Sequence, residues 1–203
     1  MGIALPKKKS SGSTLMTEGT IWKHILLFSI PLILGNMLQQ LYNTVDSIVV
    51  GNSLGSEALA AVGSSSSLIS LLISFSMGAA AGAGVIVSQF IGAQNEKGVH
   101  ESVHTALAMA LILGVVLTVL GVTLSPQILR WMGTPDEVMP QSVIYLRLYF
   151  AGLLFRVLYN MASGILNAVG NSKRSLLYLA IASFTNIVLD LLFIPVLKMG
   201  IAG

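Results

Sequence analysis

The chain has 203 residues, 54% hydrophobic and only 9% charged, with a net charge of +3 and no cysteine. A soluble domain carries about 25% charged residues, so this composition, with its mean hydropathy of +0.83, describes a polytopic membrane protein. Its lysines and arginines are not gathered on an amphipathic or aromatic surface, which leaves nucleic acid no docking face; disulfides and thiolate metal sites are excluded outright.

Residues 1–15 read as a disordered basic tail. Lys7-Lys8-Lys9 is followed by Ser, Gly and Thr, not by the apolar stretch of a cleavable signal. The first apolar run, about 26 residues, also exceeds the ~7–15 of such a signal. A native start at Met16 would make the tail an extension.

Five apolar segments, roughly 25–50, 58–90, 102–124, 141–168 and 175–197, each meet the need for about 20 residues to cross a bilayer. The fold class is therefore all-α, a polytopic bundle of about five transmembrane helices. The second segment exceeds one bilayer at 1.5 Å per residue and must tilt, bend or project. Its Gly78 and Gly82 form a GxxxG pair suited to close helix contact. With the N-terminus inside, the inner segments hold Lys7, Lys8, Lys9, Lys23, Lys97, Lys173 and Arg174, against Arg130 and Lys198 outside. The positive-inside rule favours that orientation. Lys198 to Gly203 reads as a loop leading into a further helix, as expected of a fragment.

The first segment carries an aspartate, Asp46. A carboxylate at membrane depth costs roughly 2.5–3.5 kcal/mol on insertion scales, and one that sits there marks function. Gly35, Gln39, Tyr42 and Asp46 share a helix face, and Asn36, Gln40, Asn43 and Ser47 form a second stripe beside it. Such a surface suits a cavity, whose lining residues are taken as Gln39, Gln40, Tyr42 and Asn43.

The fourth segment presents Tyr145, Tyr149, Gly152, Arg156, Tyr159 and Ser163 on one face. Tyr145 enters from the outer side and reaches the depth of Asp46. Arg156 lies on the order of 16 Å further in by helix rise, which makes it a poor counter-ion for Asp46. Its alternatives are an inner-end role, with the head snorkelling, and a substrate role. The fifth segment repeats the pattern of the first, with Ser183, Asn186 and Asp190 on one face. Two carboxylates in the outer half of one bundle titrate as a coupled pair if close. That is equipment for carrying a proton or coordinating a monovalent cation.

One motif points elsewhere. His100-Glu101-Ser-Val-His104 fits H-E-x-x-H, the zinc-protease pattern. An intramembrane metalloprotease with Asp190 as third ligand is the remote alternative. Against it stand the wet position of the motif, beside Gln94, Asn95, Glu96 and Lys97, and the absence of a downstream His. Leu191 also follows Asp190, where the intramembrane proteases have glycine in an Asp-Gly pair.

Met16-Thr-Glu-Gly-Thr-Ile-Trp-Lys23 and the stretch Pro31 to Gly51 resemble the start of multidrug and toxic compound extrusion (MATE) transporters. Leu54-Gly-Ser-Glu-Ala-Leu-Ala-Ala-Val-Gly63, Gln89-Phe-Ile-Gly92-Ala and Asn167-Ala-Val-Gly-Asn171-Ser-Lys are similar to further family segments. The resemblance covers about 16–203. It implies an incomplete six-helix N-lobe of a twelve-helix, two-lobed fold, with the C-terminal lobe of the parent as the missing partner. It also implies a secondary antiporter in the cytoplasmic (inner) membrane that exchanges cationic, amphipathic drugs for Na+ or H+, without other cofactor and without enzymatic activity. In one branch of the family the N-lobe cation site uses a first-helix aspartate, matching Asp46. It also uses an Asn-x-x-x-Asp pair matching Asn186 and Asp190, and a fourth-helix tyrosine that maps to Tyr145 on spacing. A sixth-helix threonine of that site would fall beyond Gly203. Alternating access needs two bodies rocking about a midplane site, so the fragment alone is expected to be inactive. The related alternative is a lipid-linked saccharide flippase. It should need cavity cations for a pyrophosphate headgroup, whereas the first-segment face is neutral or acidic and suits cationic substrates.

Overall fold

The computed structural model describes residues 21–200, so the basic tail expected at 1–15 lies outside the described residues. Five long helices follow one another: α1 (Ile21–Leu54), α2 (Ser56–Gly92), α3 (Glu96–Trp131), α4 (Met139–Ala168) and α5 (Ser172–Leu191). The last runs on into a π-helical turn, Leu192–Val196, that contains Pro195. All five are long and apolar enough to span a membrane. The third exceeds the expected 102–124 most, because its polar ends continue the helix beyond the apolar stretch. Large apolar side chains on the outer faces, such as Phe155 at 72% and Phe184 at 70% exposure, are what a lipid-facing surface requires.

The connections are short and their chemistry is local. Gly55 alone joins α1 to α2, at a φ of 84° that suits glycine. The other long helices that end in a loop do so in the same way. Gln94, Gly133 and Gly170 adopt φ values of 54°, 72° and 75°. Behind each, the next N–H reaches back to a carbonyl five residues earlier: Asn95 to Phe90, Thr134 to Leu129 and Asn171 to Leu166. These are Schellman closures, which satisfy carbonyls that a helix end leaves free. Asn95 then caps α3, its side chain accepting from the Gly98 N–H at 2.9 Å.

Packing divides the helices into two groups. α4 lies along both α2 and α3, while α1 packs chiefly on α5; α1 with α2 and α4 with α5 touch less extensively. The main core fills the first group, with Leu72, Ala110, Leu129, Leu146, Phe150 and Leu153 among its buried members. Small residues set the spacing. A Cβ at Gly121 would fall 1.9 Å from a ring carbon of Phe150, and one at Gly164 only 2.8 Å from the Ala80 carbonyl oxygen.

The expected contact through Gly78 and Gly82 is not the one formed. Nothing lies within 4 Å of a Cβ built on either. The close approach uses Ala80 and Gly84 of α2 against Gly164 and Ala168 of α4. Two residues rotate a helix by about 200°, so the pair read from the sequence faces away from α4 and the small residues between and beside it face in.

Candidate functional site

Between the two groups of helices lies a cavity of about 930 Å³. Its floor is set by contacts along the α1–α5 pair. A Cβ at Gly35 would sit 3.4 Å from a Leu179 methyl, and the Ser172 hydroxyl donates to the Phe28 carbonyl at 3.4 Å. At the other seam the hydroxyls of Ser163 and Ser175 bond to each other, tying α4 to α5.

The wall from α1 is neutral: Asn36, Gln39 and Tyr42 line it. From α5 come Ser183 and Asn186, and from α4 Tyr149, Arg156, Tyr159 and Asn160. The rest is largely apolar, including Phe28, Met77 and Leu179. Several polar atoms of the wall are buried without a hydrogen-bond partner among the described residues: the Tyr149 hydroxyl, Arg156 Nε, Asn160 Nδ2, Asn167 Oδ1 and Ser183 Oγ. These residues border the cavity, but the atoms themselves are buried within its wall, where an unmet polar group costs about 1–3 kcal/mol.

One turn beyond the polar end of this cavity stand the carboxylates. Asp46 follows Tyr42 by four residues on α1, and Asp190 follows Asn186 by four on α5. Asp46 is half-buried and Asp190 is 8% exposed, its Oδ2 without a partner. Asp46 lies on α1, Asp190 on α5, which packs on α1, and Tyr145 on α4, which also touches α5. The three come from three different helices, which the chain separates by up to 144 positions. Val49 and Val50 of α1 and Ile194 of the π-helical turn form a small buried cluster on the far side of the pair, so the irregular turn holds Asp190 in place against α1. The described residues contain one ion pair, the exposed Lys97–Glu101 contact at 3.7 Å; neither aspartate has a cationic partner among them.

The residues expected to act together are thus partly gathered and partly not. Asp46, Asp190 and Tyr145 lie on three helices of the bundle and none of them lines the cavity; Asn186 lines it one turn from Asp190. Gln39 and Tyr42 line it as expected. Gln40 and Asn43 do not: they lie on the neighbouring, exposed stripe of α1. There the Asn43 amide donates to the Gln40 side chain at 3.5 Å, and the two main-chain carbonyls take the hydroxyls of Thr44 and Ser47 at 2.9 and 3.0 Å. Adjacent stripes differ by about 100° of rotation, enough to move a side chain from cavity to exterior.

Sequence reasoning left Arg156 between two roles and passed over Asn160 and Asn167. The structure puts all three in the cavity wall, with the Arg156 guanidinium 5.9 Å above the centre of the Tyr149 ring. The signal was present in the spacing of Arg156, Asn160, Ser163 and Asn167, which is 4, 3 and 4.

His100 and His104 lie exposed on the first turns of α3, far from Asp190 in fold order, with their rings stacked at 4.1 Å. His104 Nδ1 is 2.8 Å from the His100 carbonyl oxygen, and Glu101 faces Lys97. No group of three potential metal ligands forms among the described residues, so Asp190 does not serve these histidines as a third ligand.

Comparison with known proteins agrees with this architecture. The MatE family model matches residues 31–192. The chain is 37% identical over 187 residues to the probable multidrug resistance protein YpnP of Bacillus subtilis, covering 92% of this chain and 42% of that protein. It is 38% identical over 187 residues to the probable multidrug resistance protein YoeA of the same organism, covering 92% and 40%. Among solved structures, a MOP superfamily transporter from Pyrococcus furiosus superposes with a TM-score of 0.83 at 34% identity, over 89% of this chain and 40% of that one. The chain therefore spans well under half the length of the proteins it matches.

Proposed function

The chain belongs to the MATE family of multidrug efflux transporters, and we propose that it forms the N-terminal lobe of a secondary antiporter that expels amphipathic organic molecules in exchange for Na+ or H+. The juxtaposition of Asp46 with Asp190 beside a polar-ended cavity carries this reading. Two carboxylates without a cationic partner repel each other, and a proton or Na+ bound between them relieves that repulsion. Tyr145 offers a third oxygen. Asn186, on the next turn of α5, connects the pair to the cavity, so a change in occupancy alters the packing of α1 against α5. An ion can drive such a change only by its difference in affinity for the two arrangements. The working orientation is N-terminus inside, in the cytoplasmic membrane, with the C-terminal lobe of the parent as the second rocking body. Organic cations, the class the sequence suggests, meet a cavity whose one lining charge among the described residues is the positive one of Arg156.

Asp46→Asn in the full-length transporter is expected to abolish drug resistance while leaving the amount of protein in the membrane unchanged. Full resistance at normal expression would remove Asp46 from the mechanism.

A further inference from the structure

We infer that Arg156 forms an anion subsite in the cavity, and that this lobe takes aromatic, amphipathic solutes carrying a carboxylate or phosphate group. The inference deepens the reading of the cavity as the substrate path and rests on it.

The charge of the wall comes first. Among the described residues that line the cavity, Arg156 is the sole ionic one; Asp46 and Asp190 lie outside the lining. A guanidinium stays ionised at any physiological pH, so the cavity presents a permanent positive charge. No carboxylate stands within ion-pair distance of it among the described residues. In a site walled by apolar helices that charge acts with less screening than in water. An organic cation entering here would face like-charge repulsion, and an anion would face attraction.

Geometry adds donors of hydrogen bonds. Tyr149, Arg156 and Asn160 lie at spacings of 7 and 4 on α4, which puts them on one face. The Tyr149 hydroxyl, Arg156 Nε and Asn160 Nδ2 are each buried without a partner. All three can donate. The Tyr149 and Asn160 side chains thus place two potential donors beside one fixed cation, a set that matches the lone pairs of a carboxylate or phosphate, which guanidinium groups bind in bidentate fashion. The Tyr149 ring beneath Arg156 restrains the guanidinium and so reduces the ordering cost of binding.

The remainder of the cavity selects the body of the ligand. Phe28, Tyr42 and Tyr159 supply ring faces, and Met77 and Leu179 supply apolar surface. A volume of about 930 Å³ falls in the range of drug-sized sites. An acidic lipid headgroup shares the anion but not the need for ring surfaces, which is why a solute is favoured over a phospholipid.

The test uses two dyes with one ring system and opposite charge, fluorescein and rhodamine 123, added to the purified full-length transporter in neutral detergent at pH 8. Fluorescence anisotropy reads binding. Fluorescein is expected to bind at least tenfold more tightly than rhodamine 123. Arg156→Gln should weaken fluorescein at least tenfold and leave rhodamine 123 unchanged or improved, with Arg156→Lys intermediate. Should Arg156→Gln fail to fold, Tyr149→Phe keeps the ring and removes one donor, and is expected to weaken fluorescein alone. Tighter binding of rhodamine 123, or fluorescein binding indifferent to all three substitutions, overturns the anion subsite and leaves the export reading standing. Binding of neither dye overturns both. Displacement of fluorescein by stoichiometric phosphatidylglycerol would assign Arg156 to lipid and overturn the solute.

Discussion

Gly164 of α4 meets Ala80 of α2 so closely that a single added methyl would lie 2.8 Å from the Ala80 carbonyl oxygen and 3.1 Å from its Cβ. This contact, repeated one turn away by Gly84 against Ala168, holds two helices at backbone distance, as small residues do in membranes. Gly164→Val is therefore expected to destabilise the protein by about 1–3 kcal/mol, the usual range for overpacking. Gly82→Ala, two residues round the helix in open space, should be neutral or stabilising by up to about 1 kcal/mol. Thermal unfolding in detergent compares the two; equal losses would mean that α2 packs through its other face.

Phe150, 3% exposed, fills the space left by Gly121 on α3. Gly121→Ala places a methyl inside the ring position and should cost about 1–3 kcal/mol. Phe150→Leu creates space at the same point, so the double variant should be more stable than the sum of the two single losses predicts. Strict additivity, measured by the same unfolding assay, would count against direct contact.

The aspartate pair predicts a pattern of non-additivity. Asp46→Asn and Asp190→Asn should each reduce ion-coupled efflux in the full-length transporter, and the double variant should be no worse than the poorer single one, as for residues that act as a unit. Efflux of a fluorescent substrate against an imposed Na+ or H+ gradient measures this. A double variant with the product of the two single losses would show that the carboxylates work independently.

Gln94 occupies a left-handed conformation, at a φ of 54°, where the other two such helix ends use glycine. A non-glycine residue there costs about 1–2 kcal/mol, partly offset by the greater freedom glycine has in the unfolded chain. Gln94→Gly should accordingly raise the unfolding midpoint, and Gly133→Ala should lower it. A fall on Gln94→Gly would show that the Gln94 side chain contributes more than its backbone strain costs.

Helix number and approximate bounds were legible because twenty apolar residues in a row admit few readings. Asp46 and Asp190 were legible for a related reason: a carboxylate inside such a run stands out whatever surrounds it. What the sequence did not show was rotation. Gly78 and Gly82 looked like a contact, and Gln40 and Asn43 looked like cavity residues. In one case the opposite face and in the other the adjacent stripe was equally plausible, because apolar lipid and apolar neighbour helices leave similar marks on a transmembrane sequence. Arg156 and Tyr149 were visible on one face of the fourth segment, but spacing alone left Arg156 between an inner-end role and a place in the cavity wall.

The two groups of helices, α2–α3–α4 and α1–α5, share fewer contacts with each other than within themselves, and the cavity follows the seam between them. Widening that seam by a small tilt of the α1–α5 pair disturbs little of the buried core, which belongs almost entirely to the other group. Pocket size is thus the lobe's soft coordinate, and Asp46 on α1 and Asp190 on α5 both ride on the pair of helices that such a tilt moves.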